Sequence, residues 1–521
     1  PTAWAHFLFR TLAKSLAPKI FLGRSAKQPP ARLKRTTEES GYCWKSQLIG
    51  CQSPDSLDLR VEGIAMMGPR QVAQGALFYE FSIEEFVPQD HPVRGIDRFL
   101  DLTEVRPLLA PFYSSHGRPS IDPELMIRML LLGYCQGIRS ERRLCEEVHV
   151  NLAYRWFCKL DLADPVPDHS TFSKNRHGRF RESGLFRHLF ETVLQRCMDE
   201  GLVGGHSFGV DASLIPANAN QTRGVDSKEG LPPDLTSRAV DEYLETLDDA
   251  AFGASTDAVP KYISPVDPAA RWTGADGGAA YFAYSTNYLV DLDNAVIVDV
   301  EPTATIRPAE ARAARDMIDR VQERFGIKPD KLVGDTGYGS AEMLGWLVED
   351  REIAPHIPVW DKSKRTDGTF SRDDFVYDPA TDSYTCPNGK ALQTYRRNFT
   401  KPRKANGGKD GFIRYRASKQ DCDACPLKPQ CCPKDHGRRL MRSVHEAARD
   451  VARDIRKTDA YMTSFIQRRK VEMLFAHLKR YIGLRMMRLR GPKGATEQFQ
   501  LAATAQNLRK LAKLVPVQGP T

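Results

Sequence analysis

No apolar run in these 521 residues approaches the ~20 consecutive residues that cross a bilayer as a helix, so we expect no membrane-spanning helix. The short apolar patch Ala3–Phe9 is interrupted by His6 and lacks an h-region and a cleavage site, and we read no signal peptide in it. Cysteine is scarce, 11 residues that are mostly scattered, which argues against an oxidised scaffold held by disulfides. No internal repeat is detectable.

What is present is the composition of a soluble globular protein, 41% hydrophobic and 27% charged, in a chain too long for one compact core. The net charge of +9 is modest, but its distribution is not. Arg396 to Arg490 holds 26 Lys and Arg against 9 Asp and Glu, so this block carries +17 and the remainder is net acidic. So basic a block points to a polyanion, and to nucleic acid before other partners.

The organisation changes along the chain. Residues 1–65 open on Pro1 and show no sustained periodicity. We expect them to be a non-native or disordered leader ahead of a native start at Met66 or Met67. Residues 78–200 read as a mainly helical N-terminal domain. Asp122 N-caps a helix that starts at Pro123, Gly137 breaks it, and Ser140 opens the next. Two helices around a glycine turn resemble a helix-turn-helix DNA-binding unit, with a plain helical domain as the alternative. Over 203–360 the period becomes that of an α/β layer domain. A short strand ends at Asp211, a hairpin turns at Asp293-Asn294, an amphipathic helix runs from Glu310 to Phe325, and a strand leads into a Gly-rich turn at Asp335. Residues 361–445 are a basic, Cys-rich insertion, and 446–514 return to the α/β domain.

Three acids stand out by position: Asp211 after a strand, Asp335 at a strand end, and Glu472 on a late helix, Phe465–Lys479. Functional groups of open α/β sheets gather at strand ends. Three carboxylates brought together repel unless cations neutralise them, so the set reads as a site for Mg2+ or Mn2+. At about 100° per residue, Arg468 lies about 40° to one side of Glu472, Lys479 about 20° to that side, and Phe465 about 20° to the other. One carboxylate thus lies between two cations that suit phosphate. Each part has a bland alternative: an Asp after a strand is commonly a loop cap, and Arg468 or Lys479 can simply pair with Glu472.

The order Asp, Asp, Glu with Arg-x3-Glu-x6-Lys resembles the DDE transposases of bacterial insertion sequences. More narrowly it resembles the type numbered eleven-eighty-two, with its Tyr-x2-Arg-x3-Glu-x6-Lys signature. Supporting segments include GRPSIDPELMIRMLLLGY, GIRSERRL, PDHSTFSK, GVDAS, SPVDPAARW and GDTGYGS, and the likeness covers roughly residues 78–510. It implies an RNase H-like catalytic domain in which Asp211, Asp335 and Glu472 bind two metal ions. It also implies cleavage of transposon ends, joining of the freed 3′-hydroxyls to target DNA, a homodimer on DNA, and residence on the bacterial nucleoid in the cytoplasm. Arg468, Lys479, Phe465 and Tyr461 become the DNA contacts. Phe465 departs from the signature tyrosine and lacks its hydroxyl, which Tyr461, at a similar azimuth, is expected to replace. A decayed DNA-binding copy and a nuclease without strand transfer share these features. The lone histidines His116, His169, His177 and His477 receive no catalytic role.

Five cysteines fall between Cys386 and Cys432. A CxxC pair with partners from a separate turn suits a structural Zn2+ held by Cys386, Cys422, Cys425 and Cys431, with Cys432 or His436 as replacements. Free thiols in a reduced protein are the alternative.

Overall fold

The computed structural model describes residues 81–516 except 115, 117–119, 275–277, 362–366 and 395–410. The leader expected over 1–65 and the basic stretch RRNFTKPRK lie outside the described residues.

The N-terminal helices begin where side chains can cap them. Helix α1 (Pro92–Phe99) follows His91, whose Nδ1 accepts from Val93. The Asp122 carboxylate caps α2 (Pro123–Cys135) and the Ser140 hydroxyl caps α3 (Glu141–Val150), as the sequence predicts. Gly137 between them has φ 69°, and a side chain there would collide with the Tyr481 carbonyl, so the α2–α3 turn needs glycine twice over. Helix α4 (Leu185–Asp199) completes this layer and leads into the sheet.

Strand β1 (Ser207–Pro216) is the sheet's middle strand. It does not end at Asp211 as expected but runs five residues further, because it pairs from Phe208 to Pro216 with the strand Tyr281–Asp291. Helix α5 (Arg238–Glu245) and the short β2 (Arg271–Thr273) intervene before β3 (Tyr281–Asp291) and β4 (Val296–Thr303). These two form the antiparallel hairpin expected around Asp293-Asn294, with Ala295 taking a positive φ in the turn. Helix α6 (Arg307–Phe325) lies against β3 and β4. Then β5 (Lys331–Val333) pairs parallel to β1, and β6 (Ala354–His356) parallel to β5. The order is β4-β3-β1-β5-β6, with β2 sharing the outer edge of β3.

A second sheet follows, antiparallel throughout: β7 (Val376–Asp378), β8 (Ser383–Thr385), β9 (Ala391–Thr394), β10 (Phe412–Arg416) and β11 (Arg439–Ser443). It has its own small core around Phe375, Tyr384, Leu392 and Tyr415. The chain returns through α7 (Glu446–Ile455), α8 (Asp459–Gln467), α9 (Arg469–Arg480) and α10 (Pro492–Leu514).

Helix α10 is buried along most of its length and packs on α1, α2, α4 and β4. Its small residues allow this: Ala512 lies against Gly95 of α1, where an added Cβ would stand 3.0 Å away. The Asn507 amide both accepts from the Ile297 N–H and donates to the Ile297 carbonyl, at 3.0 and 2.8 Å, so it closes part of the open edge of β4 as a neighbouring strand would. Glu497 of α10 is buried between Arg176 and Arg181, and Arg181 also reaches Glu242 of α5 at 3.0 Å. The N-terminal helices and the sheet therefore share one core, with the last helix through its middle.

Candidate active site

Two of the three predicted acids meet by register. Gly209 pairs with Val333 across the parallel β1–β5 ladder, and two residues further along each chain stand Asp211 and Asp335, whose side chains the pleat sends to the same face. Asp211 is mid-strand. Asp335 follows β5 and caps the single turn Thr336–Tyr338, accepting the Gly337 N–H at 2.7 Å. It is thus the loop cap of the bland reading and a member of the pair at once.

Helix α9 reaches this face because Gly209 lets it. A Cβ there would stand 2.9 Å from Val471 Cγ2 and 2.8 Å from Leu292 Cδ2. The helix expected to be continuous over Phe465–Lys479 is two helices, α8 and α9, meeting at Arg468. At that junction the Arg468 guanidinium turns to the sheet and donates from Nη2 to Asp211 Oδ2 at 3.1 Å. The ion pair is 21% and 15% exposed at its two side chains, so it is far better shielded than a surface pair. Its partner is Asp211, not the Glu472 that helical spacing suggested.

Electrostatics tie the group together. Burial pushes the Asp211 carboxyl above its ordinary value, and although Arg468 opposes this, Asp335 adds to it. Burial alone would weaken the hold of Arg468 on its proton, but Asp211, then Asp335, then Glu472 outweigh it. All three acids therefore act on one guanidinium, from the middle of one strand, the end of another and a helix. Asp211 and Asp335 are held by the sheet, whereas Glu472 is exposed one turn along α9. Among the described residues no three His, Cys, Asp or Glu side chains are gathered in metal-ligating geometry.

The remaining predicted contacts separate. Phe465 is half exposed, on the solvent side of α8. Tyr461 is buried, with its ring stacked on His356 at 6.2 Å, and does not share that exposed face. Lys479 is partly buried, and burial lowers the pKa of its ammonium. No ion pair is found for it among the described residues.

A fourth acid escaped the sequence reading. Glu310, in the first turn of α6, accepts the Ser285 hydroxyl at 2.8 Å. Burial raises its pKa, and both Asp335 and Asp211 add to the rise. Its only signal in the sequence is that of an acid at a helix start, which the helix dipole explains for most helices. Tyr338, in the turn capped by Asp335, is 3% exposed, and among the described residues its hydroxyl has no hydrogen-bond partner. Burial, then Asp211, Glu310 and Asp335, hold its proton on.

In the second sheet, Cys386, Cys422, Cys425, Cys431 and Cys432 line one cavity together with Arg438. Cys386 sits in a tight turn in which the Lys390 N–H donates to its sulfur at 3.3 Å. Burial and the neighbouring Cys431 and Cys422 push the Cys432 thiol up to about 12. None of the five forms a disulfide.

Comparison with known families assigns both ends of the described chain. Residues 81–178 match the family model described as Transposase domain (DUF772). Residues 385–512 match the model described as Transposase DDE domain. The second match contains Arg468, Glu472 and Lys479, while Asp211 and Asp335 fall between the two. No curated protein matches the chain. The two matched segments indicate a transposase function, and hence DNA as the partner. No described helix is long and apolar enough to cross a membrane.

Proposed function

We propose that the protein is a metal-dependent transposase of the DDE type, which cleaves transposon-end DNA and joins the freed 3′-hydroxyl to target DNA. The observation that carries this reading is the pair Asp211 and Asp335 on adjacent parallel strands, with Arg468 bonded to Asp211 and Glu472 one turn beyond. The strand order, three antiparallel strands continued by two parallel to the first, is that expected of an RNase H-like domain. The donor chemistry fits a divalent cation. Two neighbouring carboxylates, Asp211 shielded and raised in pKa, with one guanidinium for the pair among the described residues, leave negative charge to be neutralised. Asp211 and Asp335 would hold Mg2+ or Mn2+, with Glu472 completing the set. Bound there, the metal would activate the attacking oxygen and stabilise the leaving one.

The chain's own residues do the rest. Arg468 neutralises Asp211, and its planar fork also suits a phosphate oxygen. Lys479, without an acid partner, is assigned to the DNA backbone, and exposed Phe465 to the sugar or base beside it. The helices α2 and α3 are assigned to DNA docking, with a homodimer holding two ends. The cysteine cavity is assigned to a structural Zn2+ through Cys386, Cys422, Cys425 and Cys431, because all four line it from separate turns. Metal analysis of the purified protein is expected to find one zinc per chain, and its absence would leave these cysteines as free thiols.

The deciding experiment is a cleavage and strand-transfer assay on terminal-repeat DNA with Mg2+. Wild type should produce joined products, and Asp211→Ala should lose cleavage by on the order of a thousandfold. Cleavage without joining identifies a nuclease. The exposed position of Glu472 favours one further reading, a DNA-binding protein that no longer turns over. Binding with no cleavage by wild type would establish that instead.

A further inference from the structure

We propose that the outward face of the second sheet, at strands β10 and β11, is a docking surface for DNA whose bases are unpaired. This rests on reading DNA as the partner of the chain, and it gives that partner a surface apart from the acid pair and the N-terminal helices.

The register of the sheet builds the surface. Side chains alternate between the two faces of a strand, and residues directly opposite each other in a ladder share a face. Tyr384, Leu392, Tyr415 and Leu440, one from each of β8 to β11, are buried in the small core. The residues that alternate with them point away from it. On β10 these are Phe412, Arg414 and Arg416, and on β11 they include Arg439 and Met441. The ladder sets Arg414 opposite Met441 and Arg416 opposite Arg439, with Gln393 of β9 on the other side of Arg416. Phe412, Arg414, Arg439 and Met441 are exposed, and Arg416 is partly so.

Two features distinguish this face from a plainly solvated one. Like charges directly opposite in a ladder destabilise a sheet, yet Arg416 faces Arg439, and neither of its register partners is an acid. An anion laid across the strands would offset that repulsion. The second feature is apolar: Phe412 is 38% exposed and Met441 56%. Arg414 has Phe412 two residues before it on the same face and Met441 opposite, so large apolar side chains and guanidiniums alternate across the surface. Phosphates suit the guanidiniums, and the faces of bases suit the ring and the thioether. A duplex hides its base faces in its own stack, so only unpaired DNA offers both chemistries at once. Both strands belong to the block Arg396–Arg490 that carries the chain's excess of positive charge.

The test is a fluorescence-anisotropy titration of the full chain with an oligothymidylate strand, and with the same strand paired to oligodeoxyadenylate, at stepped salt concentrations. The double variant Arg414→Gln, Arg439→Gln should weaken binding of the single strand about tenfold. It should also make the dependence of log affinity on log salt shallower by about 1.4, two phosphate contacts at about 0.7 each. Phe412→Ala should weaken the single strand about tenfold through lost stacking, with the salt dependence unchanged and the duplex within twofold of wild type. A double variant with unchanged affinity and salt dependence would overturn the proposal. So would Phe412→Ala that leaves the single strand unaffected or weakens the duplex equally. Photo-cross-linking of wild type to a strand carrying 5-iododeoxyuridine gives a readout that needs no variant to fold. Adducts on Phe412 or Met441 are expected, and adducts confined to other segments would overturn the assignment. A wild type that binds neither strand nor duplex would instead remove DNA as the partner.

Discussion

The two sheets of this protein are built on opposite principles. The sheet bearing Asp211 and Asp335 is covered by helices from both ends of the chain, and β3 is buried at ten of its eleven positions. The cysteine-bearing sheet has eight buried residues in its core, three of them cysteines. Apolar burial alone can hold the first in place, whereas so small a core needs additional ties. One tie is visible. Glu446 at the start of α7 is buried among Arg372 at 3.0 Å, Arg449 at 2.8 Å and Arg453 at 2.9 Å, which joins the second sheet's approach to the returning helices. Burial alone would raise the Glu446 pKa, but the three guanidiniums hold it below the ordinary carboxylate range. The lesson is that rigidity is concentrated where two acids must keep a fixed separation, and that the second sheet hangs on charges and sulfur.

Breaking the larger core should have the greatest effect. Phe499→Ala, at a fully buried position of α10, should cost about 3–5 kcal/mol and lower the unfolding midpoint of the first sheet and the N-terminal helices together, as read by denaturant melts. Glu446→Gln should cost about 3 kcal/mol, because it leaves three guanidiniums around a neutral group. It should sensitise the second sheet to proteolysis and leave Asp211 and Asp335 in place, so that limited digestion separates the two sheets.

A pH series sharpens the contrast further. His356 at the end of β6 is held down to about 4, chiefly by burial and also by Lys331. Its folded pKa lies below the ordinary 6.5, so the unfolded chain binds more protons between those values. Stability is then full above about 6.5 and falls as pH drops toward 4, by up to about 3 kcal/mol. His356→Phe should flatten that portion of the stability profile in urea melts at stepped pH. The smallest effect expected is from Phe465→Tyr. It should leave stability within about 0.5 kcal/mol, since the position is exposed, and tighten DNA binding by the ~1 kcal/mol of one added hydrogen bond. Unchanged affinity in a filter-binding titration would show that the ring alone suffices there.

Much of the local structure was legible because its causes are local. Asp122 and Ser140 cap the helices they were expected to cap, and the Asp293-Asn294 turn joins the predicted hairpin. What was not legible depends on partners distant in sequence. The helix break at Arg468 leaves near-helical dihedrals, φ −56° and ψ −27°, that no propensity marks. The residue is drawn to Asp211, 257 positions earlier. The continuation of β1 beyond Asp211 is likewise set by β3. The assignment of Tyr461 as a stand-in for a tyrosine at 465 assumed one straight helix. With the helix divided, Tyr461 is packed on His356 instead.

The placement of α10 has a consequence for how the molecule is made. A polypeptide leaves the ribosome from its N-terminus, so α1, α2 and α4 emerge hundreds of residues before the helix that fills the space between them and β4. Until then the apolar faces that α10 covers lack that partner. The N-terminal helices and β4 therefore reach their final packing only once residues 492–514 have been made, so assembly of this shared core waits on its last element to emerge.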